Sequence, residues 1–235
     1  MKLNITVLKK GIQKDKLNFV TVDGITCSGK TLFSNILNRE LKKKIENTVI
    51  LSKDIFLLPR EKRIFITKNL KNKKIYDQNK IHYDLLKLKK LFEFLIFNNK
   101  KKLILDNLYN RKTGKNNLKK IFYRMPKGLI IFEGIYVNQD IKKFIKPTIK
   151  ILITENIYTS LFRKIERIRD KKISIQNVVT EFTKIHLESY KKYLQNNSFD
   201  YVYRDLKKNF VFFENGKKKQ LNDIKIFLSK HIYSK

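Results

Sequence analysis

Gly24, Gly29, Lys30 and Thr31 stand at the spacing G-x-x-x-x-G-K-[ST], and each residue type has a task in gripping phosphate. Gly24 and Gly29 frame a loop whose backbone, free of Cβ atoms at those points, can turn successive N–H groups inward around phosphate oxygens. Ile25, Thr26, Cys27 and Ser28 supply the intervening amides. Lys30 adds a mobile cation for the β- and γ-phosphates, and the Thr31 hydroxyl is a ligand suited to Mg²⁺. A helix starting near Lys30 would aim its positive end at the same phosphates. The small Cys27 suits a tight turn; its oxidation would be one way to block the loop. The predicted ligand is a nucleoside triphosphate.

Three carboxylates deserve a place beside this loop because of where they fall in the pattern of strands. Phe19–Val22, Val49–Ser52 and Gly128–Phe132 are apolar, strand-like runs, and Asp23, Asp54 and Glu133 follow at or just beyond their ends. Ile149–Ile153 is a further apolar strand, with Pro147 marking its start. Leu32, Ile36, Leu37 and Leu41 recur at helical spacing after the loop, and a broad helical stripe covers Tyr83–Phe97. Helices are also predicted over Tyr158–Arg169, Ile175–Tyr193 and Leu221–Ser229, and strands over Asn4–Leu8, Leu103–Leu105, Phe199–Tyr203 and Asn209–Phe213. Residues 53–80 read as polar and irregular, and a loop containing Gly114 follows Leu105. Apolar strands alternating with helices predict an α/β fold, a parallel sheet covered on both faces. In such sheets ligands bind beyond the carboxyl ends of the strands.

Composition bounds the alternatives. A chain of 235 residues that is 42% hydrophobic can bury one substantial core, so residues 1–235 are expected to form a single domain. Within it a small basic helical lid is expected over about 160–175, and a C-terminal extension over about 209–235. No apolar run approaches the roughly 18 residues that span a bilayer, and the N-terminus is too polar for a secretory signal. A single cysteine suits a reducing cytosol, so a cytoplasmic location is expected. His82, His186 and His231 are too scattered in sequence for zinc-ligand spacing. The net charge of +33 admits nucleic acid as a partner. Yet the excess is mostly Lys, spread along the chain beside Asn, Ile, Phe and Tyr, so A/T-rich codon usage is a sufficient cause. A small-molecule partner is the preferred reading, and a homo-oligomer is compatible with the chain.

Beyond the loop, the segments around Asp54 and Glu133 resemble the uridine/cytidine kinase family, in the wider group that includes phosphoribulokinase. Val49-Ile50-Leu51-Ser52-Lys53-Asp54 is similar to the family's strand-plus-aspartate segment, and Ile130-Ile131-Phe132-Glu133-Gly134 to its strand ending in Glu-Gly. Tyr76-Asp77 before a Leu-rich helix, Arg163, Arg167 and Arg169 in a basic lid, and Asp200-Tyr201-Val202 near the adenine follow in the family's order. The resemblance covers about Phe19 to Tyr203 and implies the P-loop NTPase fold and a kinase using ATP and Mg²⁺.

It also implies roles. Asp54 would orient and deprotonate the acceptor hydroxyl, and Thr31 and Glu133 would position Mg²⁺. Arg163 and Arg167, four apart on one helix face, would close on the phosphates, with Arg169 beside the nucleotide. Asp77, Tyr109 and Lys164 would join Asp54 in binding the acceptor. A turn aspartate at Asp54 or Asp77, a helix-entry carboxylate at Glu133 and ordinary ion pairing of the arginines with Glu166 and Asp170 remain as alternatives. The base-reading segment departs from the family: Tyr109 is followed by Asn110, with no histidine after it, and Lys164 and Glu181 stand where an arginine and a glutamine are expected. A pyrimidine nucleoside or another hydroxyl-bearing metabolite is the expected acceptor. A nucleic-acid 5′-hydroxyl kinase, a non-catalytic nucleic-acid-binding protein and an ATP-hydrolysing switch are the rival readings.

Overall fold

The computed structural model describes residues 11–69, 81–168, 174–204 and 211–214. Its centre is the strand β1 (Leu17–Gly24), flanked by two parallel neighbours, β5 (Gly128–Gly134) and β6 (Ile149–Thr154). β2 (Thr48–Ser52) extends the sheet beyond β5, and β7 (Tyr201–Arg204) extends it beyond β6, both parallel. The order is β2-β5-β1-β6-β7-β8, with β8 (Val211–Glu214) as the last strand.

Strand alternation divides the core. Phe19 on β1, with Ile130 and Phe132 on β5, points to one face, where Leu91 and Phe92 of the helix α3 (Leu85–Phe97) pack. Val20 and Val22, with Leu129, Ile131 and Ile151, point to the other, against Phe33, Leu37 and Leu41 of α1 (Lys30–Lys42). Both faces are therefore dry, and successive side chains of one strand serve opposite layers. On α1 the buried row is Phe33, Leu37 and Leu41, four residues apart. Leu32, which the sequence spacing had placed in the stripe, is 59% exposed.

After β2 comes a 3₁₀ turn, Lys53–Phe56, and then α2 (Arg60–Asn69). Part of the segment expected to be irregular is thus helical. It carries no deep apolar stripe, since Ile64 and Phe65 are exposed. Tertiary hydrogen bonds hold it instead: Arg60 N–H donates to Gly114 O, and Arg63 Nη2 to the Tyr109 hydroxyl.

β3 (Lys102–Tyr109) is longer than expected, and it pairs antiparallel with β4 (Asn116–Tyr123) in a hairpin separate from the main sheet. β4 gave no sequence signal because only Leu118 and Phe122 pack against the core and no residue of the strand is fully buried. The sheet is parallel as expected over β2, β5, β1, β6 and β7, and only the last strand, β8, runs antiparallel to its neighbour.

Two helices complete the site. α4 (Val137–Ile141) follows β5, and α5 (Ile157–Ile168) follows β6. α6 (Ile175–Glu181), a π-helical turn over Phe182–Leu187 and α7 (Glu188–Gln195) succeed one another without a break. The expected strand Asn4–Leu8 and helix Leu221–Ser229 lie outside the described residues.

Candidate active site

Parallel register brings the carboxyl ends of four strands to one edge. Glu133 on β5 lies level with Ser52 on β2 and Val22 on β1, and Gly24 lies level with Ile153 on β6. Everything that follows these residues in the chain, including Lys53-Asp54, the loop after Gly24 and Glu155, leaves the sheet on the same side.

The loop between β1 and α1 is built for close approach. A Cβ at Gly24 would lie 2.5 Å from Ile153 O and 2.6 Å from Ser28 Oγ, so only glycine fits. Cys27 (φ 63°) and Gly29 (φ 93°) both adopt the left-handed conformation, which rotates successive amides toward one side. Gly29 is the N-cap of α1 and supplies no side-chain oxygen to its first-turn amides. Such amides, at a positive helix end, are ready donors for an anion. Lys30 Nζ arcs back to donate to Ile25 O at 2.7 Å. Burial lowers the Lys30 pKa, while Glu133, Asp54 and Asp23 pull it upward. All three carboxylates picked out in the sequence are thus near enough to favour the charged form of the loop lysine.

Those carboxylates have different environments. Asp23 is buried and receives Gly24 N–H (2.7 Å), Tyr136 N–H and Tyr190 OH (both 3.3 Å), together with Tyr193 OH. It is a structural anchor that ties the start of the loop to α7. Burial pushes its pKa up, against the hydrogen bond from Tyr193 and the charge of Lys30.

Glu133 accepts from Thr31 Oγ1 at 3.3 Å. Burial and the nearby Asp54 raise its pKa, opposed by Ser52, Lys30 and Thr31. Thr31 and Glu133 are hard oxygen donors side by side at the head of the phosphate loop. That set fits Mg²⁺, which takes one or two protein oxygens and completes its shell with phosphate and water. Among the described residues no group of three or more His, Cys, Asp or Glu side chains is placed to hold a metal ion by itself.

Asp54 is the most open of the three, with its side chain 39% exposed. Its orientation follows from its neighbour. Lys53 is fully buried, paired with Asp140 at 2.6 Å, donating to Ile135 O at 2.9 Å and lying 4.2 Å from the centre of the Tyr83 ring. With Lys53 pinned inward on a tight 3₁₀ turn, the neighbouring Asp54 is left partly open to solvent. Gly134 makes room for that anchor, since a Cβ there would stand 2.7 Å from Lys53 Cβ. Arg111, on the turn of the hairpin, approaches Asp54 Oδ2 to 4.0 Å.

The lid residues divide. Arg163 Nη1 lies 2.8 Å from Glu155 Oε2 and donates to Cys27 O at 3.3 Å, so it sits on the phosphate loop. Arg167, one turn later, is exposed near the end of α5. Lys164 lies 3.5 Å from Glu181 Oε2, and His186 Nε2 is 2.9 Å from Glu181 Oε1. Tyr109 is buried, its hydroxyl accepting from Arg63 Nη2 at 2.9 Å. Asp200 ties β7 to β6, accepting from Lys150 N–H at 2.8 Å. Asp77 and Arg169 lie outside the described residues.

Sequence reasoning passed over Lys53, Arg63, Arg111, Glu155 and His186. The basic ones had no signal in so Lys-rich a chain. Glu155 had one available, its place directly after an apolar strand, like Asp23 and Glu133.

No protein-family model and no curated protein matches the sequence. Solved structures do match. A possible uridine kinase from Bacillus stearothermophilus superposes with a TM-score of 0.56 at 18% identity, covering 81% of this chain and 86% of that one. D-glycerate 3-kinase from Cryptococcus neoformans gives 0.58 at 14%, over 89% and 95%. Phosphoribulokinase from Rhodobacter spheroides gives 0.54 at 14%, over 82% and 71%. No helix among the described residues is long and apolar enough to cross a membrane. The chain therefore has the fold of these P-loop kinases, a mostly parallel sheet flanked by helices.

Proposed function

We propose that the protein is a kinase of the uridine kinase and phosphoribulokinase family, moving the γ-phosphoryl group of ATP to a hydroxyl of a small molecule. One observation carries the reading: an open carboxylate, Asp54, follows two residues after Ser52, which lies level with Glu133, and so leaves the sheet at the same edge as the phosphate-binding loop. An NTP-hydrolysing switch has no need of an acceptor-facing base there, whereas phosphoryl transfer to an alcohol does.

The residues divide the work accordingly. The amides of Ile25 to Thr31 and the Lys30 ammonium hold the β- and γ-phosphates. Thr31 and Glu133 hold Mg²⁺, which neutralises charge on the phosphates when bound. Arg163, released from Glu155 or sharing it, supplies a planar cation beside Cys27 where charge builds on the transferred group. Asp54 aligns the acceptor hydroxyl and takes its proton as the oxygen bonds to phosphorus and the bond to ADP breaks. By the resemblance, Arg167 and Arg169 are assigned to the lid, and Asp77, Tyr109 and Lys164 to acceptor binding. A uridine-like nucleoside is the family default for that acceptor.

The test is ADP release from ATP and Mg²⁺ across a panel of nucleosides, hydroxy acids, sugar phosphates and 5′-hydroxyl oligonucleotides. Acceptor-dependent release with a phosphorylated small-molecule product supports the proposal. End-labelling of the oligonucleotides alone would replace it with a nucleic-acid kinase, and hydrolysis independent of any acceptor would replace it with a switch.

A further inference from the structure

Lys53 opens the 3₁₀ turn that carries Asp54, and its side chain is fully buried. Its ammonium lies 2.6 Å from Asp140 Oδ2 on α4, donates to Ile135 O at 2.9 Å and stands over the Tyr83 ring. Taking an ammonium and a carboxylate out of water is costly, and an apolar pair of similar volume often fills such a space at least as stably. Stability alone therefore does not account for a lysine here. What an ammonium adds is direction, because its donors hold fixed acceptors and so locate the backbone that bears it.

The carbonyl that Lys53 holds belongs to a peptide group with a second partner. At the other end of the Ile135–Tyr136 peptide, Tyr136 N–H donates to Asp23 Oδ1 at 3.3 Å, and the same oxygen accepts Gly24 N–H at 2.7 Å. A planar trans peptide points its C=O and N–H in opposite directions. One rigid group therefore has the Asp54 turn on one side and the first residue of the phosphate loop on the other. Tyr136 takes the left-handed conformation (φ 65°), which is uncommon for an aromatic residue and persists where the surroundings over-determine it. Its ring packs edge-on against Tyr193 at 5.0 Å and lies 5.9 Å from Tyr190, and both of those hydroxyls also donate to Asp23. Tyr136 is the N-cap of α4 as well, the helix that carries Asp140. Lys53 thus grips one compact unit twice, at its backbone and at its carboxylate.

We propose that Lys53 is a positioning residue for phosphoryl transfer. Bound to Ile135 O and Asp140, it fixes the turn bearing Asp54 at one spacing from the phosphate loop, with the Ile135–Tyr136 peptide as the rigid link. The role rests on the kinase reading, in which Asp54 is the base, and adds to it how that base is held. Lys53 itself touches neither nucleotide nor acceptor, because its side chain is sealed in the core. A displacement of about 1 Å between base and phosphate is enough to cost about 100-fold in rate, whereas ATP binding needs only the loop.

The test uses the double replacement Lys53→Met, Asp140→Leu, which leaves neither charge buried alone, made in the wild type and in Asp54→Ala. The acceptor is the nucleoside, hydroxy acid or sugar phosphate that gives the wild type its highest acceptor-dependent ADP release. Denaturant midpoint and direct ATP affinity are measured on the same samples. With Asp54 present, the double replacement should lower kcat about 10- to 100-fold and leave ATP affinity within about twofold. In Asp54→Ala it should lower kcat by less than about threefold, because a residue that acts through Asp54 has nothing left to position. Lys53→Met alone should be as slow but less stable, so that rate does not follow the midpoint. Wild-type kcat in the double replacement, or equal losses with and without Asp54, overturns the positioning role and leaves the kinase standing. So does recovery of kcat in step with the midpoint between Lys53→Met and the double replacement. Release of ADP that needs no acceptor, or none with any acceptor, overturns the kinase reading and this inference with it.

Discussion

Thr31 Oγ1 donates to Glu133 Oε2 at 3.3 Å, joining the first turn of α1 to the end of β5 across the head of the phosphate loop. A glutamate in that position is buried and its pKa is raised above the usual 4.5, chiefly by burial. Between 4.5 and the raised value the folded protein holds a proton that the unfolded chain has lost, so Glu133 makes folding less favourable as pH rises through that window. Metal binding has the opposite sign, because only the carboxylate is a ligand and the proton must leave. Apparent Mg²⁺ affinity should therefore rise with pH above about 4.5. Glu133→Gln should weaken it about 10- to 100-fold and flatten its pH dependence, as read by titrating Mg²⁺ at fixed ATP.

Lys30 lies in the phosphate loop and Asp54 follows the end of β2, and their variants should fail differently. Lys30→Ala removes the cation from the phosphates, so direct ATP binding should weaken about tenfold or more. Asp54→Ala should leave ATP affinity nearly intact and lower kcat about 10²- to 10⁴-fold, the usual worth of a positioned base. Equal losses of ATP affinity in the two proteins would show that these roles are misassigned.

Arg163 rests on Cys27 O and Glu155, whereas Arg167 is exposed. Arg163→Met should lower kcat about 10²- to 10³-fold with little change in KM for ATP, as for removal of a group that meets charge in the transition state. Arg167→Met should cost less than Arg163→Met, and steady-state kinetics of both proteins would reverse this order if the lid grips phosphate mainly through its outer arginine.

The Lys53–Asp140 pair is buried on both sides, with side-chain exposures of 0% and 5%. Replacing Lys53 by Met strands a carboxylate inside the protein and should cost about 3–5 kcal/mol, seen as a lower denaturant midpoint. The double variant Lys53→Met, Asp140→Leu should recover part of that loss, because neither charge is then left without its counterion.

The phosphate loop, its catalytic neighbours and the parallel strands were legible in one dimension because each is a local pattern. Gly24 to Thr31 must carry their residue types at fixed spacing for amides and cation to converge. A strand dry on both faces must be apolar throughout, as in Leu129–Phe132, and a carboxylate placed after it must emerge at the ligand edge of the sheet. Elements without such local constraint were silent. β4 has no fully buried residue, and α2 is held by Gly114 and Tyr109 from elsewhere in the chain rather than by a stripe of its own.

Partnership was decided only by tertiary structure. Nothing in Asp23 distinguishes it from Asp54 until four donors close around the first and leave the second open. Arg163 and Arg167 are equivalent by spacing, and they separate only when α5 is laid against Cys27 and Glu155. Lys164 is unremarkable among so many charges, and only the packing of α5 against α6 brings it to Glu181, which also holds His186. Sequence fixes what a segment can do through its own periodicity and side-chain chemistry. Which charges meet, and which of them lose their water, depends on long-range packing that no single segment encodes.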